Sequence, residues 1–99
     1  MTANQISLIS SELNFIECTT STINSDTFIN NSDVYAIQLK TNRTLVPNEL
    51  TTYVFLSDVE CMIEYSKKNN KWYPSTVYPY EAIFGFIRNN KKHSRKQVI

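Results

Sequence analysis

The sequence predicts an α+β fold, in which a small antiparallel sheet of three to five strands packs with an N-terminal and a C-terminal helix. Three observations indicate this fold. Apolar side chains recur at helical spacing near the N-terminus, the middle of the chain alternates apolar and polar residues, and an apolar stretch beginning at a proline closes the chain. Ninety-nine residues, 41% of them hydrophobic, suit one domain with one core.

The first predicted element is a helix over residues 3–13. Thr2 and Gln5 have the spacing of a capping box, in which each side chain bonds the backbone N–H of the other residue. The apolar residues that follow at helical intervals are Ile6, Ile9, Leu13 and Ile16. After the helix, the β-branched residues of "NFIECTTSTI" favour a strand.

The middle of the chain predicts two strands. In "DVYAIQLKT", the side chains of Tyr35, Ile37 and Leu39 alternate with small or polar ones, and "LTTYVFL" has the composition of a second strand. Gly85 is the only glycine, so left-handed turn positions must fall largely to asparagine. We therefore expect chain reversals or element ends at the three asparagine doublets, which begin at positions 30, 69 and 89.

Residues 57–70 fit two structures. Ser57 and Glu60 have capping-box spacing before apolar residues at helical intervals, which would suit a helix. The same stretch alternates over seven residues, from Val59 to Tyr65, and the turn-forming "KKNNK" follows it. We predict a strand hairpin that continues into "KWYPSTVY", with the helix as the alternative.

The closing segment "YPYEAIFGFIRNN" predicts a helix that begins near Pro79 and ends at the last asparagine doublet. Its apolar face would consist of Ala82, Ile83, Phe86 and Ile87. Gly85 disfavours this helix by up to ~1 kcal/mol relative to alanine. The predicted organisation is a single globular domain over residues 1–90 and a basic C-terminal tail over residues 91–99.

The charges are distributed unevenly along the chain. Residues 1–39 carry four acidic side chains and no Lys or Arg, whereas residues 88–99 carry five basic side chains and no acid. Such a segment is typical of a contact with an acidic protein surface or with phosphates. The tail residues predicted to bind a partner are Lys91, Lys92, Arg95 and Lys96.

The residue types exclude most catalytic chemistry. One glycine cannot build a Gly-rich phosphate loop, and His93, the only histidine, lies in the tail. Cys18 and Cys61 are far apart in the sequence, which favours buried, reduced thiols over zinc ligands or a nucleophile. Glu60 and Glu64 are typical of a solvated charged face rather than of a catalytic pair. We expect no enzymatic activity, cofactor or metal.

Aromatic residues concentrate in the second half of the chain, where seven of the twelve lie between Tyr65 and Phe86. The apolar and aromatic residues predicted for the core are Ile63, Trp72, Phe84 and Phe86. The tyrosines predicted to form an exposed partner-binding patch are Tyr73, Tyr78 and Tyr80. Rings that carry a hydroxyl, on a backbone restrained by neighbouring prolines, suit an interface.

These features predict a small non-enzymatic protein-binding inhibitor or adaptor. Five residue types with AT-rich codons supply 39 of the 99 residues, which suits the AT-rich genome of a low-GC bacterium, a phage or another virus. In a phage or mobile element, the expected role is inhibition of a host protein, for example as an anti-CRISPR inhibitor. The alternatives are a nucleic-acid-binding module that uses the basic arm and the aromatic patch, a toxin-immunity protein, and a structural assembly subunit. Homo-oligomers are compatible with each.

We expect a cytoplasmic protein that is not secreted and does not contact membranes. The N-terminus lacks the basic start and apolar run of a secretory signal. The longest apolar block, "AIFGFI", is far shorter than a bilayer-spanning segment.

Overall fold

The computed structural model describes residues 1–6, 8, 17–23 and 36–87. Residues 3–6 and residue 8 are helical, and a 3₁₀ helix spans Tyr80–Ala82. The strands of the described part are β1 (Glu17–Cys18), β2 (Ala36–Leu39), β3 (Thr44–Leu45), β4 (Thr51–Leu56), β5 (Cys61–Lys68), β6 (Lys71–Pro79) and β7 (Ile83–Ile87). The described part is therefore mostly β, with little helix.

The strands form two sheets rather than the single predicted one. The larger sheet has the order β1-β4-β5-β6, in which β1 pairs with β4 in parallel and the other pairs are antiparallel. The smaller sheet has the order β3-β2-β7 and is antiparallel. Five consecutive residues of β4, from Thr52 to Leu56, are buried, so this strand is covered on both faces. A strand covered on both faces requires further layers of chain, which a single sheet does not provide.

The main core lies on the face of the larger sheet that meets the smaller one. Phe55 of β4 is at its centre, with its ring centroid 6.2 Å from that of Tyr80 and 5.6 Å from that of Phe86. The buried residues of this cluster are Ile6, Ile37, Leu39, Leu45, Tyr53, Phe55, Met62, Tyr78, Tyr80 and Ile83. Burial of side chains of this size contributes about 1.5–3 kcal/mol each, so this cluster is the main source of stability in the described part.

The opposite face of the larger sheet holds a second apolar cluster. Its buried members are Cys18, Val54, Leu56 and Tyr65, with Ile23, Cys61, Ile63 and Trp72 partly buried against them. The core prediction is therefore confirmed in part for Ile63 and Trp72, because both pack on this cluster while keeping some exposure.

The predicted capping box at the N-terminus is present. The Thr2 backbone N–H donates to Gln5 Oε1 at 2.7 Å, and the Gln5 backbone N–H donates to Thr2 Oγ1 at 3.3 Å. Apart from residues 3–6 and 8, the predicted helix lies outside the described residues. In the described part of the chain, no helix has both the length and the apolar character needed to cross a membrane.

Within the described residues, three of the four left-handed positions are asparagines, as predicted, and the fourth is Glu60. Asn69 and Asn70, with φ of 53° and 63°, form the turn between β5 and β6, and Asn42 has φ of 66°. Positive φ at both central residues matches the twist of a two-residue hairpin. The strand hairpin is confirmed, and the helical alternative for residues 57–70 is wrong. The other two asparagine doublets lie outside the described residues.

The predicted C-terminal helix is wrong in the described part of that segment. Only the 3₁₀ turn Tyr80–Ala82 follows Pro79, and β7 then pairs with β2. A β-bulge explains the misleading pattern: Leu39 pairs with Ile83 and Gln38 with Gly85, so Phe84 is an extra residue. The extra residue lets Ile83 and Phe86 both reach the core although they are three apart, which imitates helical spacing.

Candidate interaction surfaces

The structure separates the three tyrosines that were predicted to form one exposed patch. Tyr73 is 46% exposed, whereas Tyr78 and Tyr80 are only 7% and 3% exposed and belong to the main core. The prediction is therefore wrong for Tyr78 and Tyr80. Tyr78 pairs with Met62 over the core, whereas Tyr73 pairs with Ser66 farther along the hairpin, where its ring reaches solvent.

The hydroxyl of Tyr78 is satisfied inside the protein. Glu64 Oε1 accepts hydrogen bonds from the Tyr53 hydroxyl at 3.1 Å and from the Tyr78 hydroxyl at 3.3 Å. Glu64 Oε2 accepts a third from the Ser75 hydroxyl at 3.1 Å. These four residues define the Glu64 cluster, which gives partly buried polar groups the partners that they require.

The electrostatics of the Glu64 cluster favour neutral phenols. Burial raises the pKa of Tyr53 well above its usual range, and the nearby Glu64 carboxylate raises it further. Burial and the Glu64 charge also raise the pKa of Tyr78, while the Arg43 guanidinium opposes the rise at both phenols. Phenols of this kind stay protonated near neutral pH and are poor general bases.

The carboxylates that were predicted to share a solvated face occupy different environments. Glu60 is exposed in the turn before β5, as that prediction requires, whereas Glu64 is partly buried and hydrogen-bonded. A third acid, Asp58, accepts bonds from the Thr20 hydroxyl at 2.7 Å and from the Thr20 backbone N–H. The Thr20 hydroxyl bond, with backbone N–H groups, lowers the pKa of Asp58. This contact joins the turns after β1 and β4.

Two exposed surfaces of the described residues combine aromatic and cationic side chains. One of them is the end of the β5–β6 hairpin. The Lys67 ammonium lies 5.4 Å from the centroid of the Trp72 ring, a cation–π contact. Lys68 and Lys71 are exposed beside it, and Tyr73 follows on β6. We call these five residues the hairpin surface.

The second such surface is an open groove of about 450 Å³ between the β2–β3 turn and β7. The residues that line this Phe84 groove are Gln38, Leu39, Lys40, Asn42, Arg43, Thr44 and Phe84. Phe84 was predicted to be in the core, but its side chain is 67% exposed. The same prediction is confirmed in part for Phe86, which is partly buried against the main core.

Neither Cys18 nor Cys61 forms a disulfide, as expected. Cys18 is buried, but Cys61 is only partly buried, so the expectation of burial is confirmed for the first alone. Each is paired with Leu56, Cys18 from β1 and Cys61 from β5, so one strand separates the thiols. Burial, with a smaller effect of Asp58, raises the pKa of Cys61 and disfavours the nucleophilic thiolate.

The remaining features considered in the sequence are a metal site, which was not expected, and the basic C-terminal tail. Among residues 1–6, 8, 17–23 and 36–87, no three His, Cys, Asp or Glu side chains come together to hold a metal ion. The predicted tail contacts at Lys91, Lys92, Arg95 and Lys96, and also His93, lie outside the described residues.

Comparisons with protein-family models, with curated proteins and with solved structures give no match to this chain. Its function must therefore be argued from the two surfaces themselves.

Proposed function

We propose that this chain is a small, non-enzymatic protein-binding inhibitor or adaptor, of the kind that a phage or mobile element directs against a host protein. The observation that carries the proposal is the exposure of Tyr73 on the hairpin surface, where 46% of the residue is open to solvent. Tyrosine is enriched among the residues that dominate binding energy at protein interfaces.

The backbone around Tyr73 supports its role as an anchor. The two left-handed asparagines close the hairpin tightly, and Pro74 fixes φ immediately after the tyrosine. A ring on a restrained strand loses little conformational entropy when a partner covers it, which leaves more of the contact energy for binding.

The composition of β6 favours binding through side chains rather than through strand addition. In the described part of the chain, β6 is an outermost strand and pairs only with β5. Pro74 and Pro79 have no N–H to donate, and Lys71 places a charge at the start of the strand. Prolines and lysines are the features by which edge strands avoid pairing with other chains.

Two observations support the non-enzymatic part of the proposal. The phenols of the Glu64 cluster have raised pKa values and donate to one carboxylate, so the cluster serves the fold. The raised pKa of the Cys61 thiol likewise disfavours nucleophilic attack. We propose that the basic tail, including Lys91 and Arg95, increases the rate of association with an acidic partner surface.

The test is capture of partner proteins from the native host, with and without nuclease, by the full chain and by Tyr73→Ala. A captured protein that survives nuclease should bind Tyr73→Ala about thirtyfold more weakly, because anchor residues cost about 2 kcal/mol or more on truncation. Val46→Ala is the matched control, since Val46 is 49% exposed but lies next to β3, outside the hairpin surface. Equal affinity for both folded variants would disprove the role of Tyr73.

The hairpin surface also favours a second candidate, a nucleic-acid-binding module. Lys67 lies over the Trp72 ring on one face of the hairpin, and Lys68 and Lys71 share the other face with Tyr73, because neighbouring strand residues alternate. Aromatic rings beside cations can stack bases and follow a phosphate backbone. This candidate predicts binding to oligonucleotides that weakens steeply with salt, with a logarithmic slope of about −0.7 to −0.9 per phosphate contact. It also predicts that nuclease abolishes capture. Toxin immunity and structural assembly remain predictions from the sequence.

A further inference from the structure

The β-bulge in β7 turns a large apolar ring toward solvent. Phe84 is the extra residue of this bulge, and its side chain is 67% exposed while its neighbour Ile83 is fully buried. Bulges often redirect a side chain beside a functional site. The aromatic contacts of the described residues join Phe55 to Tyr80 and Phe55 to Phe86, and neither contact involves Phe84. The ring is thus available to a ligand.

Two cations lie beside this ring, and no acid lines the groove with them. Lys40 and Arg43 are exposed and are the charged residues of the groove lining, which holds no carboxylate. In the part of the chain that the structure describes, neither side chain forms an ion pair. Cations without partners attract an anionic group, and a guanidinium can bind a carboxylate through two parallel hydrogen bonds.

Gly85 adds a third observation on the same sheet. It pairs with Gln38 of the groove, and its φ is not positive, so the backbone does not require glycine. A Cβ at this position would meet no described atom within 4 Å, so internal packing does not require glycine either. Glycine within a strand often marks a place where another backbone approaches closely. An approaching peptide would explain the missing side chain.

The charges near the groove favour a short acidic segment over a nucleic acid. Lys40 and Arg43 are the charged residues among those described as lining the groove, and residues 40–87 as a whole balance five acids with five bases. A polyanion needs a broad basic face, whereas two cations and one ring match a single carboxylate beside an apolar side chain.

We propose that the Phe84 groove binds an extended acidic peptide segment of a protein partner. A carboxylate of the segment is bound by Lys40 and Arg43, an apolar side chain packs on Phe84, and the peptide backbone passes over Gly85. The inference goes beyond the proposed function, because it concerns a surface separate from Tyr73 and predicts the chemistry of what binds there.

The test uses fluorescence anisotropy with the full chain and a short labelled peptide of alternating acidic and apolar residues. Two matched probes are the same peptide with Asn and Gln in place of its acids, and an oligothymidylate of similar length. We expect saturable binding of the acidic peptide, at least about tenfold weaker binding of the amide peptide, and weaker binding of the oligothymidylate at physiological salt.

The variants Arg43→Gln and Phe84→Ser should each weaken binding of the acidic peptide about tenfold. Lys68→Gln is the matched control, because it removes an exposed positive charge from the hairpin surface and should leave peptide affinity unchanged. Amide chemical shifts should move at Lys40 and Gly85 during titration. Circular dichroism checks that every variant is folded.

Several results would overturn the inference: no binding of the acidic peptide, equal affinity for the amide peptide, equal loss in Lys68→Gln, or tighter binding of the oligothymidylate. Self-association that Phe84→Ser abolishes would also overturn it, because the occupant would then be a second copy of the chain. Tyr73→Ala separates the two proposals, since it should weaken capture of the partner but leave peptide binding unchanged.

Discussion

Two outer strands of the described fold, β6 and β7, each carry one β-bulge. The extra residue of one bulge bonds within the fold, whereas the extra residue of the other is exposed to solvent. In β6 the extra residue is Ser75, since Glu64 pairs with Thr76 and Tyr65 with Pro74. Its hydroxyl donates to the Glu64 carboxylate and to the Glu64 backbone carbonyl. In β7 the extra residue is Phe84, whose ring is directed toward solvent beside Lys40 and Arg43.

The comparison shows that both bulges contribute to the fold, but that only the bulge in β7 leaves an apolar side chain exposed to a ligand. The bulge in β6 brings the Ser75 hydroxyl into the Glu64 cluster. This hydrogen bond within the fold is a sufficient reason for the bulge. The bulge in β7 exposes an apolar ring at a cost in hydration and gives it no partner among the described residues. The bulge in β7 also lets Ile83 and Phe86 reach the core, but that packing does not account for the exposed ring of Phe84. The exposed ring is therefore the better sign of a binding surface.

The largest expected effect is a difference in unfolding free energy between alanine variants of the two phenylalanines of β7. Phe86→Ala should lower the free energy of unfolding by about 2–3 kcal/mol, somewhat less than for a fully buried ring, because Phe86 is partly exposed while packing on Phe55. Phe84→Ala should change it by less than about 0.5 kcal/mol, because Phe84 is mostly exposed. Urea denaturation measures both. Similar losses in the two variants would show that Phe84 supports the fold.

The next effect compares two tyrosines of β6. Tyr78→Phe removes a hydroxyl that donates to Glu64 and should cost about 1 kcal/mol of stability. Tyr73→Phe should cost less than about 0.5 kcal/mol, since the ring is exposed and its pairing residue is Ser66. Both are measured by urea denaturation. An equal cost would place the Tyr73 hydroxyl in a contact within the fold.

A pH dependence should follow from the Glu64 cluster. The folded state holds the phenolic protons of Tyr53 and Tyr78 more tightly than the unfolded state, where the pKa is about 10. The resulting stability is fully present below pH 10 and is lost as the pH rises through the folded-state pKa values. Urea denaturation at a series of pH values from 8 to 11 measures this loss of unfolding free energy. The range includes the ordinary phenol pKa of about 10. Tyr53→Phe should make the free energy of unfolding fall less steeply with pH in this range. An unchanged pH dependence would contradict the proposed role of Tyr53.

The smallest expected effect is a gain. Gly85→Ala should stabilise the fold by about 0.5–1 kcal/mol, because alanine restricts the unfolded chain and its Cβ has open space. The same variant should weaken binding of the acidic peptide, because the methyl group lies in the path of the peptide backbone. Thermal unfolding and anisotropy measure the two results. A stabilised variant with full peptide affinity would remove Gly85 from the binding surface.

The sequence correctly predicted those elements that depend only on residues close together in the chain. The capping box of Thr2 and Gln5 and the asparagine turn after Lys68 depend on neighbouring residues alone, and both are present. The strands β2 and β4 follow from alternation and β-branched residues. These features need no knowledge of what packs against them.

The errors arose where contacts distant in sequence decide the structure. The bulge at Phe84 depends on pairing with β2, so "AIFGFI" imitated a helix and concealed the exposed ring. The partner of the Tyr78 hydroxyl, Glu64, lies fourteen residues away, and this contact buries a tyrosine that composition alone favoured as exposed. The adjacent apolar residues around Gly85, which break the alternation of a strand, were the one signal of a bulge in the sequence.

Site-specific photo-cross-linking in the native host tests the central claim, that this chain binds a protein through the hairpin surface, most directly. A benzophenone amino acid would replace Tyr73 in one variant and Val46, which is similarly exposed, in the other. We expect a discrete cross-linked protein adduct from position 73 that resists nuclease and is weak or absent from position 46. A nuclease-sensitive adduct, or equal adducts from both positions, would contradict the claim.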